Sequence, residues 1–295
     1  MKKAAIFFIL ILVAGSFFGC ATTPQMPDIA ATTLPVYEFS AALCEGTGLT
    51  VGRLVTESVS CLHDYTLQVS QMRMIEHTQV VVLSGAGLEA FLGDALNSSA
   101  HLIDASTGTH LHEAGHSHDH THHEAHDSDH EHDPHIWLSP ENAKIMVQNI
   151  CHGLSLFYPE HKETFLANSK DLIQQLDALQ SYGEHTLSQL SCREMITFHD
   201  GFGYLAESFD LTILRAIEEE SGSEASAAEL KELIGMVREH ALPAVFTEKN
   251  GSASAADVIA AETGAEIFVL DMAMAGDSYF DAMYHNINTI KEALE

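Results

Sequence analysis

Short runs of β-branched and apolar residues alternate with helical stretches twice along this chain, and that alternation restricts the possible folds more than any other feature. From Ile29, IAATTLPVY reads as a strand, FSAALCEG as a short helix and TVGRLVTE as a strand. LQVSQMRMIEHTQ is then helical, VVVLSG a strand, GLEAFLGDAL a helix and HLIDAS a strand. From Glu194 the pattern returns: EMITFHD, LTILRAI, PAVFTEK and AEIFVLD as strands, with GFGYLAESF, SAAELKELIGMVREHAL and SASAADVIAAETG as helices between them. DSYFDAMYHNINTIKEAL closes the chain as a helix. Strands this short and apolar, separated by helices, belong to parallel sheets covered on both faces. The expected class is α/β, with two similar parallel-sheet lobes.

One long helix is expected to join them. Pro159 can open it, and Phe165, Leu172, Ile173, Leu176, Leu179, Leu187 and Leu190 recur at helical spacing. At 1.5 Å per residue it would be roughly 45–50 Å long. Gly183 is its weak point, and two helices broken there are the alternative. The boundaries expected are a leader at 1–20, a tether at 21–28, one lobe at 29–158, the helix at 159–190 and the second lobe at 191–295.

Lys2 and Lys3 precede an apolar run of 15 residues, Ala4 to Phe18. That suits a secretory leader and is short for a membrane span of about 20. Gly19-Cys20 follows and resembles the lipobox of bacterial lipoproteins, which implies lipidation at Cys20 and an extracytoplasmic, membrane-tethered protein. Of the other cysteines, Cys44, Cys61, Cys151 and Cys192, the pair Cys44 and Cys61 is the expected disulfide, with buried thiols as the alternative.

The 295 residues carry 13 Lys+Arg against 42 Asp+Glu, a formal net charge of -29. Nucleic acid is excluded as a partner, because such binding starts from phosphate neutralisation by cationic side chains. A polybasic membrane patch is excluded for the same reason. The 20 His residues point instead to metal, for which imidazole is the commonest ligand. Ten of them fall between His110 and Asp133, at His110, His112, His116, His118, His120, His122, His123, His126, His130 and His132, among seven Asp or Glu. Leu111 is the only large apolar residue there, so this loop, 110–133, cannot build a core. It is expected to be mobile and to bind Zn²⁺, Cu²⁺ or Ni²⁺ in several geometries.

A sharper set lies beyond strand ends, where α/β proteins place ligands. His63 follows TVGRLVTE, His135 follows the His-rich loop, His199 ends EMITFH and Asp271 ends EIFVL. Three imidazoles and a carboxylate satisfy tetrahedral Zn²⁺.

The segments LHDYTL, DPHIWLSPENAK, TFHDGFGYLAESFDL and LDMAMAGDSYFDAMYHNINTI resemble, in order, those of the solute-binding lipoproteins of bacterial zinc and manganese ABC importers. SAAELKEL and AAETGAEIFVLD match that family too, so the resemblance covers nearly all of the mature chain. It implies two α/β lobes joined by one long rigid helix. The metal would lie in the cleft, held by His63, His135, His199 and Asp271. It implies a monomer that delivers zinc to an ABC permease. Leu62 stands where the family usually has Pro, which makes Cys61 a further candidate ligand. Members that use Mn²⁺ often carry Glu at the third position, whereas this chain has His199, and imidazole favours zinc. Two other readings stay open. A surface zinc buffer or adhesin would work through the loop alone. A zinc hydrolase is suggested by His63-Asp64 and His199-Asp200, but H-E-x-x-H and G-x-S-x-G are both missing.

Overall fold

The computed structural model describes residues 26–57, 62, 65–97, 101–112, 132–218, 225–249, 251 and 253–295. The leader, Cys20, Cys61, His63 and His116 to His130 lie outside the described residues.

Two four-stranded, all-parallel sheets organise the chain. The first contains β1 (Ile29–Ala31), β2 (Val51–Arg53), β3 (Val80–Leu83) and β4 (His101–Asp104), in the order β2-β1-β3-β4. The second contains β5 (Glu194–His199), β6 (Thr212–Glu218), β7 (Ala244–Glu248) and β8 (Glu266–Leu270), in the equivalent order β6-β5-β7-β8. In each sheet the order reverses at the first strand, which opens a crevice at the carboxyl ends of the central strands.

The helices are α1 (Leu34–Leu43), α2 (Val69–His77), α3 (Pro140–Phe157), α4 (Lys162–Thr186), α5 (Gly203–Ser208), α6 (Ala227–Glu239), α7 (Ser254–Thr263) and α8 (Tyr279–Leu294). Several depart from the sequence expectation. The strand expected over IAATTLPVY stops at Ala31, and α1 starts at Leu34. Thr33 is extended and Pro35 sits in the first helical turn, where its fixed φ and missing N–H cost nothing. GLEAFLGDAL forms 3₁₀ turns around Gly93, whose φ is +43°. Helix α3 is not anticipated, although Ser139-Pro140-Glu141 announces it: the Ser139 hydroxyl accepts from the Asn142 N–H at 3.3 Å.

The connecting helix α4 has 25 residues, about 37 Å, because Pro159–His161 forms a separate 3₁₀ turn before it. Gly183 does not break it. A Cβ there would run into the ring of Phe209, so the glycine lets α4 lie against the second half of the molecule. Phe165, Leu172, Leu176 and Leu179 form the buried face of α4, and one continuous core runs from Ile29 through these residues to Tyr279 and Leu294. Cys44, Cys151 and Cys192 are free thiols, so they form no disulfide with one another. Burial pushes the Cys44 thiol up to about 12.

Candidate metal site

The carboxyl edge of the second sheet gathers the chemistry. His199 is the last residue of β5, Lys249 follows β7 and Asp271 follows β8. All four strands run parallel, so these residues must emerge on one side of the sheet. His135 arrives from the other half of the chain, just before the tight turn Ile136–Leu138 that leads into α3. Its ring lies edge-on to that of His199, with centroids 5.3 Å apart and planes at 88°. Both are buried, at 2% and 5% exposure. Gly201 permits this closeness: a Cβ there would lie 2.9 Å from His199 Cδ2 and 3.0 Å from His135 Nδ1.

His135 is held from behind. Asp133 Oδ1 accepts its backbone N–H at 2.9 Å and pairs with its Nδ1 at 2.7 Å. With Nδ1 so engaged, Nε2 is the nitrogen left to face an ion. The Tyr204 hydroxyl donates to the Asp133 carbonyl at 2.8 Å and receives the His112 N–H at 2.9 Å. Its own proton is hard to remove, because burial pushes the phenol up to about 12. The turn beyond His135 is equally fixed. The Trp137 indole N–H donates to the Met272 carbonyl, and the Tyr279 hydroxyl donates to the Trp137 carbonyl, each at 2.8 Å. The backbone after Asp271 therefore positions the turn that carries His135.

Asp271 is locked through its main chain by buried Asn286, which accepts its N–H at 2.8 Å and donates to its carbonyl at 2.7 Å. Its side chain is already occupied. Oδ1 accepts the Ala273 N–H at 2.9 Å and Oδ2 pairs with Lys249 Nζ at 3.0 Å. In this arrangement the ligand atoms of His135, His199 and Asp271 do not converge as a trio. Among the described residues, the one set of three whose ligand atoms lie within 4.8 Å of one another is His110, His112 and Glu207. His63 lies outside the described residues, and its neighbour Leu62 is buried in the core shared by Ile136 and Trp137. His132 is half-buried beside Asp133.

Sequence reasoning does not reach Asp133, Gly201, Asn286, Lys249 or Glu207. Only Asp133 carries a local signal, an acid two residues before a candidate His. The others matter through contacts between segments far apart in the chain. A buried pair of imidazoles beside a carboxylate suits a borderline divalent cation such as Zn²⁺ better than a hard one.

Residues 29–293 match the model of the family described as ZnuA, zinc-uptake complex component A, periplasmic. The chain is 31% identical to the high-affinity zinc uptake system protein ZnuA of Bacillus subtilis, across 97% of this chain and 94% of that protein. Its fold is similar to a crystal structure of ZnuA, with a TM-score of 0.78 and 28% identity, covering 91% of this chain and 100% of that one. It is also similar to the Zn(II)-bound ZnuA-like domain of AdcA from Streptococcus pneumoniae, with a TM-score of 0.75 and 27% identity, covering 92% of this chain and 99% of that one.

Proposed function

We propose, because the chain belongs to the ZnuA family of zinc-uptake components, that it is an extracytoplasmic receptor which captures Zn²⁺ and delivers it to an ABC-type permease. The observation that carries this reading is the buried pair His135 and His199, one from each half of the chain, with Asp133 holding the first. In this reading His135 offers Nε2, His199 offers its imidazole from the end of β5, and His63 supplies a third. Asp271 becomes the fourth ligand once Lys249 releases its carboxylate. Imidazole binds metal only when neutral, so zinc and protons compete for the site.

The role is capture rather than catalysis, since four protein ligands leave a tetrahedral zinc ion no position for a reacting water. The imidazoles of the loop from His110 to His132 act as accessory ligands that raise the local zinc concentration. The charge of -29 draws divalent cations in the same direction. A lipid on Cys20, exposed when the leader is cleaved, would tether a monomer to the outer face of the cell membrane. Among the described residues no helix is long and apolar enough to cross a membrane.

Trp137 is the only tryptophan, fully buried, with its ring 5.5 Å from that of His135, so it reports on the site directly. A competitive Zn²⁺ titration followed through its fluorescence should show one tight site that His199→Ala abolishes. Unchanged tight binding in that variant would overturn the cleft reading in favour of a buffer working through the His-rich loop.

A further inference from the structure

We propose a second divalent-metal site, formed by His110, His112 and Glu207, that joins the root of the His-rich loop to α5. It rests on the zinc reading above only for the choice of ion. The ligand atoms of the three residues lie within 4.8 Å of one another. His112 Nε2 is 2.6 Å from Glu207 Oε2, and His110 Nε2 is 3.7 Å from Glu207 Oε1. Each oxygen of one carboxylate thus faces a different imidazole, and the two rings stand 5.3 Å apart at 83°.

A single His–Glu contact would be an ordinary surface ion pair. Here both histidines are anchored by buried groups outside the cluster, His110 through its main chain and His112 through its main chain and ring. Asn142, 3% exposed, accepts the His110 N–H and donates to the His110 carbonyl, each at 2.9 Å. The His112 ring stacks on Tyr204 with centroids 4.1 Å apart and planes at 10°, and its N–H donates to the Tyr204 hydroxyl. The His112 carbonyl accepts the Asp133 N–H at 3.1 Å. The backbone of both histidines and the ring of His112 are therefore ordered before an ion arrives, which lowers the entropic cost of binding. The side chains of His110 and Glu207 are open to solvent, 67% and 59% exposed, so an ion can reach them.

A zinc ion placed between His112 Nε2 and Glu207 Oε2 replaces the proton they share. Zn–N and Zn–O distances of about 2.0–2.2 Å require the two atoms to part to roughly 3.4 Å. An exposed glutamate reaches that by a small side-chain rotation. Two imidazoles and a carboxylate leave the fourth position to water, so the ion is held less tightly than in a closed four-ligand site and exchanges faster. Such a site suits temporary loading at the mouth of the loop. It also shares a support with the inner site, since Tyr204 bonds both the His112 N–H and the Asp133 carbonyl, and Asp133 holds His135.

The test is a Zn²⁺ titration of the full chain, followed by the imidazole ¹⁵N resonances of His110 and His112 and by bound zinc per chain. Zinc should shift both sets of resonances. Glu207→Gln should weaken that response by about tenfold or more and leave the tight, Trp137-reported site unchanged. His110→Gln should do the same, and neither exposed side chain is needed for folding. In His199→Ala the His110 and His112 shifts should persist, so failure of the inner site and failure of this one are read separately. Resonances unmoved by zinc, or a Glu207→Gln titration identical to that of the unmodified chain, would overturn the proposal.

Discussion

Lys249 Nζ and Asp271 Oδ2 form a 3.0 Å ion pair at the mouth of the crevice, so the carboxylate expected to hold a metal ion already holds a cation. The two residues follow neighbouring strands, β7 and β8. The lysine side chain is 59% exposed and can swing into solvent, whereas Asp271 is fixed by Asn286. In the proposed site zinc would compete with Lys249 for one oxygen of Asp271. Lys249→Met should raise zinc affinity about two- to fivefold, the worth of a partly exposed ion pair. Chelator competition measures it, and an unchanged or lower affinity would count against Asp271 as a ligand.

Asp133 orients His135, accepting its backbone N–H and pairing with its Nδ1 through one carboxylate oxygen. Asp133→Ala removes the carboxylate while leaving the backbone carbonyl that Tyr204 binds. Zinc affinity should fall about 10- to 100-fold, the usual cost of losing a group that orients a ligand imidazole. The unfolding midpoint of the metal-free chain should move little by comparison. Isothermal titration beside urea unfolding separates the two effects.

Two helical glycines should respond oppositely to alanine. Gly235 in α6 is exposed, with nothing within 4 Å of an added Cβ, so Gly235→Ala should stabilise by about 0.5–1 kcal/mol through helix propensity alone. At Gly183 the added Cβ meets the buried ring of Phe209. Gly183→Ala should destabilise by about 1–3 kcal/mol despite the same gain in propensity. Urea midpoints of the two variants, read against the parent, check both signs.

Glu89 supplies a pH dependence that metal does not control. It accepts hydrogen bonds from the Thr32 hydroxyl and from the Ser84 and Gly85 N–H groups, yet complete burial outweighs them and raises its pKa from 4.5 to about 7. Between those values the folded chain keeps a proton that the unfolded chain has lost. Its contribution is thus fully present below 4.5 and is lost as pH rises through 7, by up to about 3 kcal/mol. From pH 4.5 to 7.5 the metal-free unfolding free energy of the parent should fall relative to that of Glu89→Gln, by up to about 3 kcal/mol. Parallel curves would show that folding leaves the Glu89 pKa unshifted.

Much of the fold was legible because parallel strands and helices leave local signatures. Apolar runs located all eight strands found among the described residues, and helical periodicity located α4, since Phe165, Leu172, Leu176 and Leu179 repeat on one face. Errors gathered where a local signal competes with context. Thr32 and Thr33 suit a strand, but Pro35 two residues on starts a helix. Gly183 resembles a helix breaker until its packing against Phe209 is known.

The sequence by itself determined the class of fold, the direction of the strands and the residue types available for metal. Those follow from periodicity, burial and charge, which act along the chain. Tertiary structure alone decided that His135 meets His199, that Asp133 and Tyr204 support them, that Lys249 occupies Asp271, and that Glu207 joins His110 and His112. Each of these contacts joins side chains brought close by strand order or by packing across the two halves. A hydrogen bond or an ion pair depends on ångström-scale position in space, which spacing along a chain does not encode.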